Sequence, residues 1–249
     1  MHTAVISEQG RRWSMEDRYT LISDFGGRGW IFGGVFDGHR GSTAAEYAAR
    51  HLHQHFLQSL QSAEEPQTAW RQAYASLDAE LAAEESGCTA ASFCILSTAI
   101  TAANCGDSRL LLVQKDAVVQ LSEDHRLDNE AEWERIQEAG ARISYPYVMA
   151  GFQGLMPTRS LGDASFRETG IIAQPFTLTR PLEAEDRFLI AGCDGLFDQV
   201  DNETVGAIAR SSLDAEDLVQ TLKREVLDKR LGSDNLTIIA CDLQAAERS

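Results

Sequence analysis

Residues 89–121 read TAASFCILSTAITAANCGDSRLLLVQKDAVVQL. This stretch is rich in strand-forming side chains and is punctuated by short polar breaks, so it predicts a meander of four strands at 89–97, 99–104, 109–114 and 117–121. Working outward, strand-like text also lies at 19–23 and 30–36, and again at 170–179, 187–193 and 235–242. Helical periodicity falls between these runs. One stripe carries Ala45, Ala48, Leu52 and Phe56, and a second helix opens near Pro66 and aligns Trp70, Ala73, Tyr74, Leu77 and Leu81. A short helix at 130–139 has Asn129 as N-cap with Glu132 three residues on, Trp133 and Ile136 facing inward, and Gly140 at its end. Two more helices fit 202–210 and 213–230, while 144–155 has no clean period and reads as a loop or flap. Strands in runs with helices in pairs, without strict alternation, predict an α+β layered sandwich and not a doubly wound parallel sheet.

The 249 residues show no fixed-period repeat, no low-complexity segment and no long linker, so one domain is expected over 1–249. Lys and Arg number 22 against 38 Asp and Glu, a net charge of −16. Such a chain repels nucleic-acid phosphates and anionic lipid, so neither nucleic acid nor membrane is an expected partner. The start of the chain has no basic segment leading into an apolar run, and no apolar stretch approaches the length of a membrane span. Cys88, Cys94, Cys105, Cys193 and Cys241 are odd in number, lack CxxC spacing and sit in apolar text, which predicts reduced, buried thiols and a cytoplasmic protein. With no long heptad pattern, a monomer is expected.

The informative acids end apolar strands. Asp37 follows WIFGGVF, Asp107 follows AANCG, Asp194 follows FLIAGC, and Asp234 precedes the closing strand; three of these four adjoin glycine. A single Asp-Gly is ordinary turn chemistry. Four such ends, together with Glu16 and Asp17, point instead to convergent carboxylates, because an isolated buried carboxylate is costly to desolvate. Carboxylates without nearby His or Cys ligands suit hard divalent cations, Mg²⁺ or Mn²⁺, rather than zinc.

These residues carry a family resemblance. RWSMEDR at 12–18, VFDGH at 35–39, SGCTA at 86–90, NCGDSR at 104–109, DH at 124–125, TRSLGD at 158–163, CDGLFD at 193–198 and GSDNLT at 232–237 run in one order along almost the whole chain. The chain resembles the metal-dependent protein serine/threonine phosphatases of the type 2C class. The resemblance implies a four-layer αββα sandwich, two antiparallel β-sheets flanked by helix pairs, with a flap at about 126–163. It implies a binuclear Mg²⁺ or Mn²⁺ centre in which Asp37 bridges the ions. Glu16 and the Gly38 carbonyl would complete one shell, and Asp194 and Asp234 the other. Asp107, with Asp194 and Asp198, would match a weaker third site. Asp17 and Asn235 would support these ligands from behind.

The implied reaction is hydrolysis of phosphoserine and phosphothreonine in protein substrates by direct attack of a metal-bridging water or hydroxide, without a phosphoenzyme. Arg12 would grip the phosphate, and His39 is the best-placed general acid for the leaving alkoxide; Arg159 would either face the substrate or tie down the flap, and Arg40, a long cation beside the site, would either bind substrate phosphate or narrow the entrance. His51, His53 and His55 read as a solvated helix surface, and His125 reads as structural at least as well as functional. The chain departs from the family pattern at Arg40, where a small residue is usual, at Arg126-Leu127, where Lys-Pro is commoner, and at Pro157, which breaks or edges the strand before Arg159. An apolar stretch at 145–152 occupies the flap position and would either offer a substrate-side patch or pack the flap onto its own domain. The alternative to an enzyme is a catalytically silent phosphoprotein-binding or scaffold member, which would be expected to lack one of Asp37, Asp194 or Asp234.

Overall fold

Strands whose residues are apolar on both faces need partners on both sides, and the chain supplies them in layers. The computed structural model describes residues 1–244; the last five residues of the expected 1–249 domain lie outside the described residues. In chain order, β1 (His2–Glu8), β2 (Arg18–Phe25), β3 (Trp30–Phe36) and β4 (Gly38–His39) lead to helices α1 (Thr43–Ser59) and α2 (Pro66–Glu80). Next come β5 (Gly87–Cys88), β6 (Ala90–Ile95), β7 (Ala99–Cys105), β8 (Arg109–Gln114), β9 (Val118–Gln120) and helix α3 (Glu130–Glu138). The flap strands β10 (Arg142–Ser144), β11 (Tyr147–Ala150) and β12 (Gln153–Leu155) precede β13 (Leu161–Gly162), β14 (Phe176–Pro181) and β15 (Asp186–Gly192). Helices α4 (Asp194–Phe197), α5 (Asn202–Ser211) and α6 (Ala215–Lys223) and strand β16 (Leu236–Asp242) finish the described chain.

Two five-stranded antiparallel sheets form the centre, in the orders β1-β16-β15-β8-β9 and β14-β7-β6-β3-β2. Successive residues of each strand serve different layers. On β3, Ile31 and Val35 face the other sheet, while Phe32 and Phe36 face α1 and α2. On β15, Leu189 and Ala191 face inward, while Phe188 and Ile190 face α5 and α6. The expected stripes are buried as read: Ala45, Ala48, Leu52 and Phe56 on α1, Trp70, Ala73, Tyr74 and Leu77 on α2, and Leu81 just past its end. Phe56 stacks on Trp70 with ring centroids 3.6 Å apart. The result is an αββα sandwich with one apolar layer between the sheets and one under each helix pair.

Four elements differ from expectation. Strand β1 pairs with β16 in the register Ala4↔Ala240, although its few apolar residues gave no signal; it is an edge strand completed by a partner from the far end of the chain. The 144–155 stretch is a three-stranded antiparallel sheet with 142–143, each strand too short to show a period. The strand expected at 170–179 starts only at Phe176, because Ile171 turns into the flap core and Ile172 bridges Arg159. The helix expected at 213–230 is α-helical to Lys223 and widens to a π-helix over Arg224–Lys229.

Helix α3 shows how a local signal is partly overruled. Asn129 caps it as expected, accepting from the Ala131 and Glu132 amides, and Asn129→Ala is expected to cost about 1 kcal/mol in urea unfolding. The Glu132 carboxylate does not close a capping box. It turns inward to Arg135, Arg159 and Thr158. Two of the three α1 histidines differ from a solvated surface: His53 is half-buried edge-on against Phe32, and His55 bonds Glu80. Burial lowers the His53 pKa.

Candidate active site

Each expected acid is delivered by a strand end. Strand β3 ends on Asp37, β7 runs through Gly106 to Asp107, β15 runs through Cys193 to Asp194, and Asp234-Asn235 leads into β16. Both sheets therefore aim carboxylates at one end of the sandwich. There they meet in a cleft of about 440 Å³ lined by Glu16, Asp37, Gly38, Asp107, Asp194, Asp234 and Asn235, with Arg12, His39 and Arg40. The flap closes one side with Tyr147, Gly154, Leu155, Met156 and Pro157.

The floor of the cleft is a set of acids short of cations. Burial pushes the Asp37 carboxyl well up, reinforced by Asp194, Asp17 and Asp107. Burial and the charges of Asp107, Asp234 and Asp198 push Asp194 up to about 7. Asp17 is 2% exposed, and neither of its carboxylate oxygens has a hydrogen-bond partner of ordinary geometry. Its pKa is raised by burial. Asp17, Asp37 and Cys193 each bring a ligand atom within 4.8 Å of the others. Burial raises the Cys193 thiol well above its usual value, and it donates to the Asn235 carbonyl, so it stays a neutral thiol. What remains is an oxygen-only donor set with orphaned charge, which fits a hard divalent cation. Gly38 keeps its backbone close: a Cβ there would lie 2.5 Å from the Glu16 carbonyl oxygen.

Other expected residues are held as follows. Glu16 accepts from the Ser14 hydroxyl and the Gly41 amide, and its own amide donates to Asn235 Oδ1. Asn235 Nδ2 ties the Gln9 and Ser14 carbonyls, so it fixes the loop that carries Glu16. Arg12, 60% exposed on the rim, pairs with Asp234 at 2.5 Å. Arg40 is not a free cation: it reaches Asp163, Gln153, Ser165 and the Glu85 carbonyl and lies over the Phe166 ring, tying the flap to the cleft. Arg159 does not line the cleft. Its guanidinium is spent on Glu132 and the Gln174 carbonyl, because a buried carboxylate behind the flap attracts it more strongly than the open cleft. Asp198 sits outside the cleft lining and pairs with Arg126. His125 is fully buried against the Gly106 backbone, in keeping with a structural role.

Asp163 was not singled out in the sequence. It is fully buried and accepts from His39 Nε2 at 2.7 Å, Arg40 at 2.6 Å and Ser160 Oγ at 2.5 Å. Burial pushes its carboxyl up, but these partners outweigh it, and the pKa falls below the usual aspartate value. Gly87 makes room for the pair: a Cβ there would lie 2.1 Å from Asp163 Oδ2 and 2.4 Å from His39 Nε2. The only signal was its place in TRSLGD, 124 positions from His39.

A fold of this kind with an acid-floored cleft defines a metal-dependent phosphoesterase, and the comparisons with known proteins agree. The family model described as "Protein phosphatase 2C" matches residues 1–236, and the chain belongs to that family of metal-dependent phosphoprotein phosphatases. It is similar to "Protein phosphatase 2C homolog 1" of Saccharomyces cerevisiae, with 29% identity covering 92% of this chain and 88% of that protein. It is 32% identical to "Probable protein phosphatase 2C 45" of Oryza sativa, covering 94% of this chain and 84% of that one. Among solved structures, the serine-threonine phosphatase 2C of Toxoplasma gondii superposes with a TM-score of 0.84 over 96% of this chain and 93% of that chain at 21% identity, a likeness of fold. Among the described residues no helix is long and apolar enough to cross a membrane.

Proposed function

We propose that this chain is a protein serine/threonine phosphatase that hydrolyses phosphoserine and phosphothreonine esters at a binuclear Mg²⁺ or Mn²⁺ centre. The observation that carries this reading is the convergence of Glu16, Asp37, Gly38, Asp194 and Asp234 on one cleft that also holds His39 and Arg12. When bound, two divalent ions would supply the Lewis acidity and positive charge that attack on a phosphomonoester dianion requires. Asp37 would bridge them, Glu16 and the Gly38 carbonyl would hold one, and Asp194 and Asp234 the other. Asp17 lies behind Asp37 as a buried supporting charge.

The protein's own groups handle the substrate. Arg12 stands at the rim, where its planar guanidinium can turn from Asp234 to phosphoryl oxygens. His39 has Nε2 fixed by Asp163, which leaves Nδ1 as the ring nitrogen not engaged by that bond. It is the group that hands a proton to the leaving alkoxide, and Asp163 is a positioning residue that sets its ring orientation. The flap wall of Tyr147, Leu155 and Met156 gives the phosphoprotein chain an apolar surface beside the phosphate. The chain works as one catalytic domain and as a monomer. Its five buried, unbridged cysteines support a reducing, cytoplasmic setting. A silent scaffold is disfavoured because every expected ligand position keeps its oxygen donor.

The test is release of phosphate from a phosphothreonine peptide in Mn²⁺, in Mg²⁺ and in EDTA. Turnover with either ion and none in EDTA is expected; turnover unchanged in EDTA refutes the reading. Metal is also expected to stabilise the fold, because it binds the native acid cluster and not the unfolded chain. At about a hundredfold excess over Kd, the gain is about 2.7 kcal/mol. For a chain of this size that raises Tm by roughly 5–10 °C. A melt that is the same in Mn²⁺ and EDTA would count against the ligand set.

A further inference from the structure

Arg126 is one of the positions where the sequence departs from the family pattern, and the structure gives it a defined place. It lies between β9 and α3, at the root of the flap, with its side chain 20% exposed. Each of its three nitrogens faces a different carboxylate: Nε donates to Asp107 Oδ2 at 2.5 Å, Nη1 lies 2.9 Å from Asp198 Oδ1, and Nη2 lies 3.7 Å from Asp194 Oδ2. These acids come from separate places, Asp107 from the loop after β7 and Asp194 and Asp198 from the two ends of α4. They are also the three acids expected to hold a third, weaker metal.

A divalent ion and this guanidinium compete for the same lone pairs. An ion at that position needs carboxylate oxygens at about 2.0–2.6 Å, with the guanidinium displaced. An arginine cannot vacate by losing a proton. Nor is it launched from a loose backbone: the neighbouring His125 amide donates to the Gly106 carbonyl at 3.1 Å, and the Thr158 amide donates to the His125 carbonyl at 2.8 Å. Leu127, on its other side, is buried in the flap core. The cation is thus held in place from both flanks by contacts that do not involve the acids.

We propose that Arg126 is a tethered replacement for a third divalent ion, so that this chain's centre runs on two metals and one guanidinium. This rests on the binuclear reading above. The monovalent, permanently bound cation would offset one unit of the outer acids' charge at any metal concentration, and it would link their occupancy to the flap root.

The test is to count Mn²⁺ ions by isothermal titration and by electron paramagnetic resonance. The proteins are the wild type, Arg126→Met and Arg126→Gln, each checked for fold by circular dichroism. The wild type is expected to bind two ions. Each variant is expected to gain a third, at least about tenfold tighter than any third event in the wild type, or about 1.4 kcal/mol. Adding Asp198→Asn to Arg126→Met should remove that third event. A wild type that takes a third ion as tightly as the variants overturns the proposal, and so do folded variants that still bind two. A wild type that binds no Mn²⁺ overturns the binuclear reading itself.

Discussion

Asp37→Asn is expected to lower Mn²⁺-dependent hydrolysis of a phosphothreonine peptide by at least about a thousandfold, roughly 4 kcal/mol of transition-state stabilisation. Asp37 continues β3, whose Val35 and Phe36 are fully buried, so its backbone position is set by the core of the sandwich. Burial and the neighbouring Asp194, Asp17 and Asp107 all oppose its negative charge. A carboxylate held against those forces is where a bound divalent cation would relieve the most strain, which makes Asp37 the decisive substitution. Asparagine keeps the size and shape but cannot bridge two ions as an anion. The same substitution removes a like charge from the cluster, so the metal-free variant is expected to melt no lower than the metal-free parent. Activity lost with the fold retained is the expected pattern. A folded Asp37→Asn protein with turnover within about tenfold of the parent would refute the assignment of Asp37.

Glu132→Ala is expected to destabilise the fold by about 4 kcal/mol, because it strands charges that were paired in a buried place. Glu132 is 1% exposed and receives Arg135, Arg159 and the Thr158 hydroxyl. Through those arginines it reaches the carbonyls of Gly170, Thr158 and Gln174. One side chain therefore fastens α3 to both chain segments behind the flap. In thermal melts the loss is worth roughly 10 °C or more.

The pH dependence of this contribution has a definite sign. Burial pushes the Glu132 carboxyl up, but the hydrogen bonds from Arg135, Arg159 and Thr158 outweigh it, and the pKa settles at about 2, against 4.5 for an ordinary glutamate. An acid whose folded pKa is depressed stabilises the fold above its unfolded pKa and loses that contribution as pH falls through the folded one. The gap between wild type and Glu132→Ala should be full at neutral pH and should narrow as pH drops from about 4.5 towards about 2. A gap that stays constant over that range would show that the lost stability is packing and not charge pairing.

Much of this protein was legible in order along the chain. Helices α1 and α2 were readable because their buried residues recur at the helical period, and β3, β6, β7, β8 and β15 because both of their faces are apolar. Asp37, Asp107, Asp194 and Asp234 were readable as a set because each interrupts an apolar strand at its end, where a charge needs a reason. The sequence left two roles open for Arg159, and strand β1, the flap sheet and the inward turn of Glu132 were not legible. Nor were the His39–Asp163 pair and the three-way hold of Arg126. Each of these joins residues far apart in the chain or sets one partner against another. Local sequence states which groups carry charge and which faces are apolar. Which carboxylate a given arginine reaches depends on the distances and burial that appear only when the two sheets close, since the strength of a charge pair is set by separation and solvent exclusion.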